Sequence, residues 1–168
     1  MREGIRVSDR IIDVVKGRYE LVEGIKLHGY VLAEAFNENG KKLWSDEGGN
    51  LITNQYLTHI RDIMYISGTP DTTQYVGLFS SNYTPAATIT GDTGTWAAAS
   101  LTEAAHAGYA RQAYTDAASG SYAVTNSASK ASFTFPGSGG PWNIYGAFVH
   151  ADSTGGTGSA IMYAIRRF

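Results

Sequence analysis

Four histidines, His28, His59, His106 and His150, are the side chains best suited to hold a metal or move a proton. None stands in an HExxH or HxH relation to another. Zinc needs three or four converging ligands, and without cysteine they must be gathered from distant His and Asp, with His150 and Asp152 the nearest pair. A serine nucleophile on a strained strand-to-helix turn requires Gly-x-Ser-x-Gly; Gly137-Ser138-Gly139 misses that spacing and no helical pattern follows it. Gly40-Lys41 lacks the earlier glycine of a phosphate loop, and Gly155-Gly156-Thr157-Gly158-Ser159 opens toward a strand pattern instead of a helix N-terminus. A glycosidase needs only two well-separated carboxylates. Past residue 62 the sequence offers Asp71, Asp92, Glu103, Asp116 and Asp152, each isolated among small polar residues. The chain is therefore read as non-enzymatic, with no catalytic residue, cofactor or metal assigned.

Composition narrows the classes further. The 168 residues carry 13 Lys+Arg against 15 Asp+Glu, no Cys and 20 Gly. Absence of cysteine excludes a disulfide scaffold and any thiol chemistry. A net charge of -2 offers no basic stripe for nucleic acid. No run is apolar enough for a membrane span, and Met1-Arg2-Glu3-Gly4-Ile5-Arg6 does not resemble a secretory leader, so a cytoplasmic origin is expected. The charged fraction of 17% falls below the usual ~25%. Those charges are uneven: 19 of 28 lie in residues 1–62, and the remainder reads as Ser, Thr, Gly, Ala, Asn and Tyr with short apolar runs.

The elements follow from periodicity. Residues 1–24 are read as an N-terminal arm, in which Ser8 to Gly17 forms either a short capped helix or an extended stretch that orders against a partner. Its apolar residues Ile5, Val7, Ile11, Ile12, Val14 and Val15 lack local partners and are candidates for binding another protein. Residues 25–168 form the second unit. A hairpin is expected where 25–32 and 43–44 flank Asn37-Glu38-Asn39-Gly40, the Asn-Gly pair favouring a two-residue turn. Apolar positions 52, 56, 60, 63 and 64 fall on one helical stripe, with Thr53 or Asn54 as cap. Short β runs at 74–80, 109–115, 121–125, 130–135, 142–150 and 160–167 complete the pattern. Together they predict a mainly β fold: an antiparallel sandwich or jelly roll of about eight strands, with one amphipathic helix and an extended N-terminal arm.

Loop 82–104 is long, small and polar, and loops of that length are usually functional or disordered. Eleven Tyr, six Phe and three Trp are interleaved with small polar residues, the chemistry of adaptable binding loops. Most, including Tyr75, Phe79, Phe133, Phe135, Trp142 and Phe148, belong to the core or a strand face. Tyr83, Trp96 and Tyr122 lie in or near loops and are the aromatic candidates for contact with a partner or a host glycan.

Three stretches in order resemble small bacteriophage virion proteins. Leu43-Trp44-Ser45-Asp46-Glu47-Gly48-Gly49-Asn50-Leu51-Ile52-Thr53-Asn54 is similar to their W-S-D-E-G-x-N-L-I-x-N segment. Tyr75-Val76-Gly77-Leu78-Phe79, then Thr84-Pro85-Ala86-Ala87, then Gly108-Tyr109-Ala110-Arg111-Gln112 resembles their Y-I-G-L-F, T-P-A-A and G-Y-A-R-Q run. Asn126-Ser127-Ala128-Ser129-Lys130-Ala131-Ser132-Phe133-Thr134 and Tyr145-Gly146-Ala147-Phe148 are similar to N-S-A-S-K-A-T-F-T and Y-G-A-F. The resemblance spans about residues 41–167 and leaves 1–40 uncovered. It implies a capsid decoration or cement protein, or a head-fibre, tail, neck or baseplate component, with no catalytic residues to carry over. The implied partners are the major capsid protein or another virion protein and further copies of the chain, a trimer at a local symmetry axis being expected. The implied location is the virion, assembled in a bacterial cytoplasm.

Overall fold

The computed structural model describes residues 13–15, 18–20, 27, 29–92, 96, 98–114, 117–119, 123–126, 130–135, 142–154 and 160–168. Its centre is a curled six-stranded antiparallel sheet, ordered β3-β4-β10-β9-β5-β6. The strands are β3 (Gly29–Phe36), β4 (Lys42–Ile52), β5 (Gln74–Phe79), β6 (Gln112–Tyr114), β9 (Gly146–His150) and β10 (Met162–Arg167). Two short ladders stand apart from it in the pairing scheme: β1 (Asp13–Val15) with β2 (Arg18–Glu20), and β7 (Ala117–Ser119) with β8 (Ala123–Thr125). Among the described residues the fold is thus mainly β, and the helix that packs on its sheet is α1 (Asn54–Tyr65).

The N-terminal ladder replaces the helical alternative over Asp13–Val15, and 8–12, 16 and 17 lie outside the described residues. Asp13 pairs with Glu20 and Val15 with Arg18, as suits adjacent β-branched Val14 and Val15. The hairpin of β3 and β4 is longer than the sequence suggests, in register from Gly29↔Asn50 to Ala35↔Trp44. Its turn also differs in kind. Gly40 N–H donates to Asn37 O at 2.9 Å and Asn37 N–H to Lys41 O at 3.0 Å, enclosing three residues instead of two. The Asn37 carboxamide oxygen accepts from the Asn39 and Lys41 amides at 3.1 and 2.9 Å, which holds the wider loop. Gly40 sits at φ 74, the left-handed position that follows a type I turn.

Ile52, expected on the helical stripe, belongs with Leu51 to β4, where they pair with Ala164 and Ile165 of β10. The helix begins one residue after Thr53, whose hydroxyl accepts from Tyr56 N–H at 3.1 Å and donates to the Met162 carbonyl. Tyr56 meets Tyr163 edge-on at 4.6 Å, so the half-buried face of α1 rests on β10. Met64, expected on that face, is exposed, as is Leu57. The helix closes with Ile66 and Gly68 N–H groups on Asp62 O at 3.0 and 2.8 Å.

Other boundaries move inward. Among the described residues, 109–111 and 142–145 precede their strands β6 and β9, while β8 covers 123–125 with 121 and 122 outside the described residues. Residues 130–135 alternate like a strand yet join no ladder. Their aromatic rings dock instead, Phe133 stacking on Tyr109 at 5.9 Å and Phe135 lying 4.6 Å from His106. The strand at 117–119 was not foreseen.

Phe79, Ile89, Trp96, Leu101, Phe148, Met162 and Ile165 make the core. Three of these come from loop 82–104, which closes over the sheet as its covering layer. Burying each large side chain stabilises the fold by about 1.5–3 kcal/mol. The sheet must leave space for them: a Cβ on Gly77 would lie 2.2 Å from the Phe148 ring, its neighbour across β5 and β9.

Candidate functional site

Two arrangements dominate the molecule, one closed and one open. The closed one centres on Arg111, just before β6. Its Nε and Nη2 donate to the two oxygens of Glu103, both at 2.8 Å, and Nη1 donates to Asp152 O at 2.7 Å. Nη1 also lies 2.9 Å from His150 Nδ1. The guanidinium carbon lies 5.1 and 5.3 Å from the ring centroids of Phe148 and Trp96, which pack edge-on against each other beside it. His150 completes the knot: Nε2–H donates to Gly91 O at 2.9 Å, leaving Nδ1 to accept from Arg111 and from the Asp152 amide. That tautomer is neutral. Burial, aided by the Arg111 charge, holds the imidazole below its ordinary pKa against the opposing pull of the Gly91 and Asp152 backbone bonds.

Tyr109 extends the network, donating to Glu103 at 2.9 Å and accepting from Leu78 N–H at 2.9 Å. Burial pushes its phenol well above the usual range. Gln55 joins it to α1, its carbonyl oxygen accepting from Gly91 and Met162 amides at 2.8 and 2.9 Å. Each of these groups addresses another protein group, so the network fastens the covering loop to the sheet. A smaller fastening lies on β10, where Asp71 accepts from Tyr163 and lies 3.2 Å from His59 Nε2.

The open arrangement is the β3–β4 hairpin. Only Leu51 and Ile52 of β4 pair with β10, so most of both strands projects past the sheet. One face of the projection carries Asp46 and Trp44, opposite Ala33 and Ala35, and meets the C-terminal end of the chain, with Trp44 still 43% exposed. Arg166 bonds Asp46 and the Gly49 carbonyl, and Trp44 lies 5.5 Å from Phe168. By strand alternation the other face carries Tyr30, Leu32, Glu34 and Phe36, with Leu43 beside them where the register shifts. Tyr30 is 69% exposed, Leu43 65%, Phe36 54% and Leu32 50%. Glu34 in their midst is held by Lys42 at 3.1 Å and Lys130 at 3.6 Å. The hydrogen bond from Lys42 lowers its carboxyl pKa.

The sequence candidates distribute differently. Trp96 is 3% exposed, donates Nε1–H to Thr90 O at 2.7 Å and packs on Phe148 at 5.1 Å. Its ring is a core element and is not available to a partner, because the polar loop that bears it folds over the sheet. Tyr83 is half-buried and edge-on to Phe79 at 6.5 Å. Val14 and Val15 lie in β1; Ile5, Val7, Ile11, Ile12 and Tyr122 fall outside the described residues. Tyr30, Leu32, Phe36 and Leu43 escaped notice. Their signal was present: β3 is apolar on both faces, which a half-buried strand of the sheet interior does not need to be.

Near the closed network a shallow cleft of about 310 Å³ is lined by Ser80, Glu103, His106, Trp142 and Asn143, among others. His106 lies 5.2 Å from Trp142. Among the described residues no three His, Asp or Glu side chains converge as a metal site, and no helix is long and apolar enough to cross a membrane. No protein-family description matches the sequence, and neither curated proteins nor solved structures show significant similarity to it.

Proposed function

We propose that this chain is a non-enzymatic virion structural protein of a bacteriophage, a decoration or cement protein that binds the outside of the head and bridges major capsid protein subunits. The observation that carries the proposal is the projecting hairpin, which turns Tyr30, Leu32, Phe36 and Leu43 to solvent. Contiguous apolar surface of this kind marks a protein–protein contact. In a shell the contact repeats, so a copy that touches several subunits gains affinity through effective concentration. We read the six-stranded sheet as one layer of a jelly-roll-type sandwich, with β7 and β8 belonging to the second, eight strands in all. The chain acts in the virion after assembly in the host cytoplasm, as a homo-oligomer.

Quantitative mass spectrometry of purified particles tests the proposal. A cement protein is present in hundreds of copies, a tail, neck or baseplate component in about a dozen, as repeated lattice and axial positions require; absence from particles rejects both. Deleting residues 2–24 separates the arm from the hairpin as anchor. The truncated chain is expected to fold; loss of capsid binding assigns the anchor to the arm, and full retention assigns it to the hairpin.

The cleft beside Trp142 favours a second reading, a glycan-binding module displayed on the virion. An indole ring next to a carboxylate, an amide and hydroxyls matches the apolar and polar faces of a sugar. Retardation on host polysaccharide, abolished by Trp142→Ala, is its test.

A further inference from the structure

We propose that β3 is the seam of a two-fold homodimer, in which the β3 edges of two copies pair antiparallel about Ala33 and join their sheets into one. β3 is the terminal strand of the sheet, and among the described residues its outer edge pairs with nothing. Its eight residues at ~3.4 Å each present about 27 Å of unpaired backbone. Proteins that keep such an edge to themselves protect it with proline, lysine or a bulge. β3 has neither proline nor lysine, and its ladder with β4 is regular from Gly29 to Ala35, shifting only at the tip.

The strand is complementary to itself. A two-fold axis at Ala33 sets Tyr30 opposite the partner's Phe36, Val31 opposite the partner's Ala35, and Leu32 opposite the partner's Glu34. An aromatic pair then forms at each end of the seam, an arrangement that stabilises antiparallel strands. The single charge on β3 does not oppose the pairing, because Glu34 is already matched by Lys42 and Lys130. Edge pairing sets the flanks of Tyr30, Leu32 and Phe36 against the partner's strand and continues the exposed apolar face across the seam. A three-fold arrangement cannot use this seam, since antiparallel pairing of one strand with itself requires a two-fold axis. The dimer does not depend on the virion reading, and its test uses the isolated protein, so the two stand or fall separately.

Sedimentation of the full chain is expected to show a monomer–dimer equilibrium. Leu32→Lys, which places charge at the seam, is expected to weaken the dimer by more than about tenfold, with a melting temperature unchanged at concentrations where the chain is monomeric. Because the chain has no cysteine, Ala33→Cys reports the axis directly. Opposed Cα atoms in an antiparallel pair lie about 4.5–5.5 Å apart, within the ~4.4–6.8 Å that a disulfide spans. Mild oxidation should therefore give covalent dimers from Ala33→Cys and few from Glu38→Cys at the hairpin tip. A chain monomeric at about 100 μM, well above the working range of specific interfaces, overturns the proposal. So does a trimer, a dimer indifferent to Leu32→Lys, or equal cross-linking at residues 33 and 38. If Leu32→Lys fails to fold, the cysteine pair decides.

Discussion

The Arg111 network and the β3–β4 hairpin divide polar and apolar character in opposite senses. Around Arg111, ionic and hydrogen-bonding groups lie inside, and each is matched by another group of the same chain. On the hairpin, tyrosine, phenylalanine and leucine lie outside, unmatched. Buried charge that is fully paired serves position and specificity more than net stability, whereas exposed apolar area has no intramolecular use. The first region holds the fold in one arrangement; the second is where the fold has something left to bind.

Substitutions that trade these roles should have very unequal effects. The largest is expected for Arg111→Met, which leaves Glu103 and His150 facing a side chain that cannot donate. Loss of about 3–5 kcal/mol, the range for breaking one side of a buried pair, should appear as a large drop in denaturant midpoint. Thr53→Ala removes the α1 cap and a buried bond to β10, and should cost about 1–2 kcal/mol by the same measurement.

Acid should loosen the closed region and spare the open one. His150 is neutral in the fold and its pKa is lowered, so the unfolded chain binds the proton more readily. Its contribution is complete above the ordinary histidine value of about 6.5 and is lost as pH falls below it. Denaturation at a series of pH values should show this slope, and His150→Gln should flatten it. The smallest effect on stability, within about 0.5 kcal/mol, is expected for Phe36→Ser. If that variant instead unfolds the protein, the hairpin belongs to the core and the contrast between the regions fails.

What the sequence revealed follows the reach of each interaction. The helix was legible because its cap and its apolar stripe lie within one or two turns. The hairpin turn was legible in place but not in kind, since the Asn37 side chain captures two amides and widens the loop. Arg111 and Trp96 were illegible because their partners lie far along the chain: Trp96 reads as a loop aromatic until the sheet beneath it is known. The alternation at 130–135 misled for a related reason, as period two describes a strand's faces but supplies no neighbour for its edges. An unmatched Arg and Glu in a charge-poor stretch were the remaining clue to the network.

The placement of β10 between β4 and β9 bears on how the protein is made. Thr53 and Met162 bond across 109 positions of sequence, so synthesis must pass the whole loop layer before the hairpin can join the sheet. The β3–β4 pair forms from local contacts and then waits on the ribosome with its aromatic face uncovered. Such long-range closure is slow, and a waiting apolar edge is prone to premature association. Translation speed through residues 53–162 thus sets how long a nascent chain stays at risk.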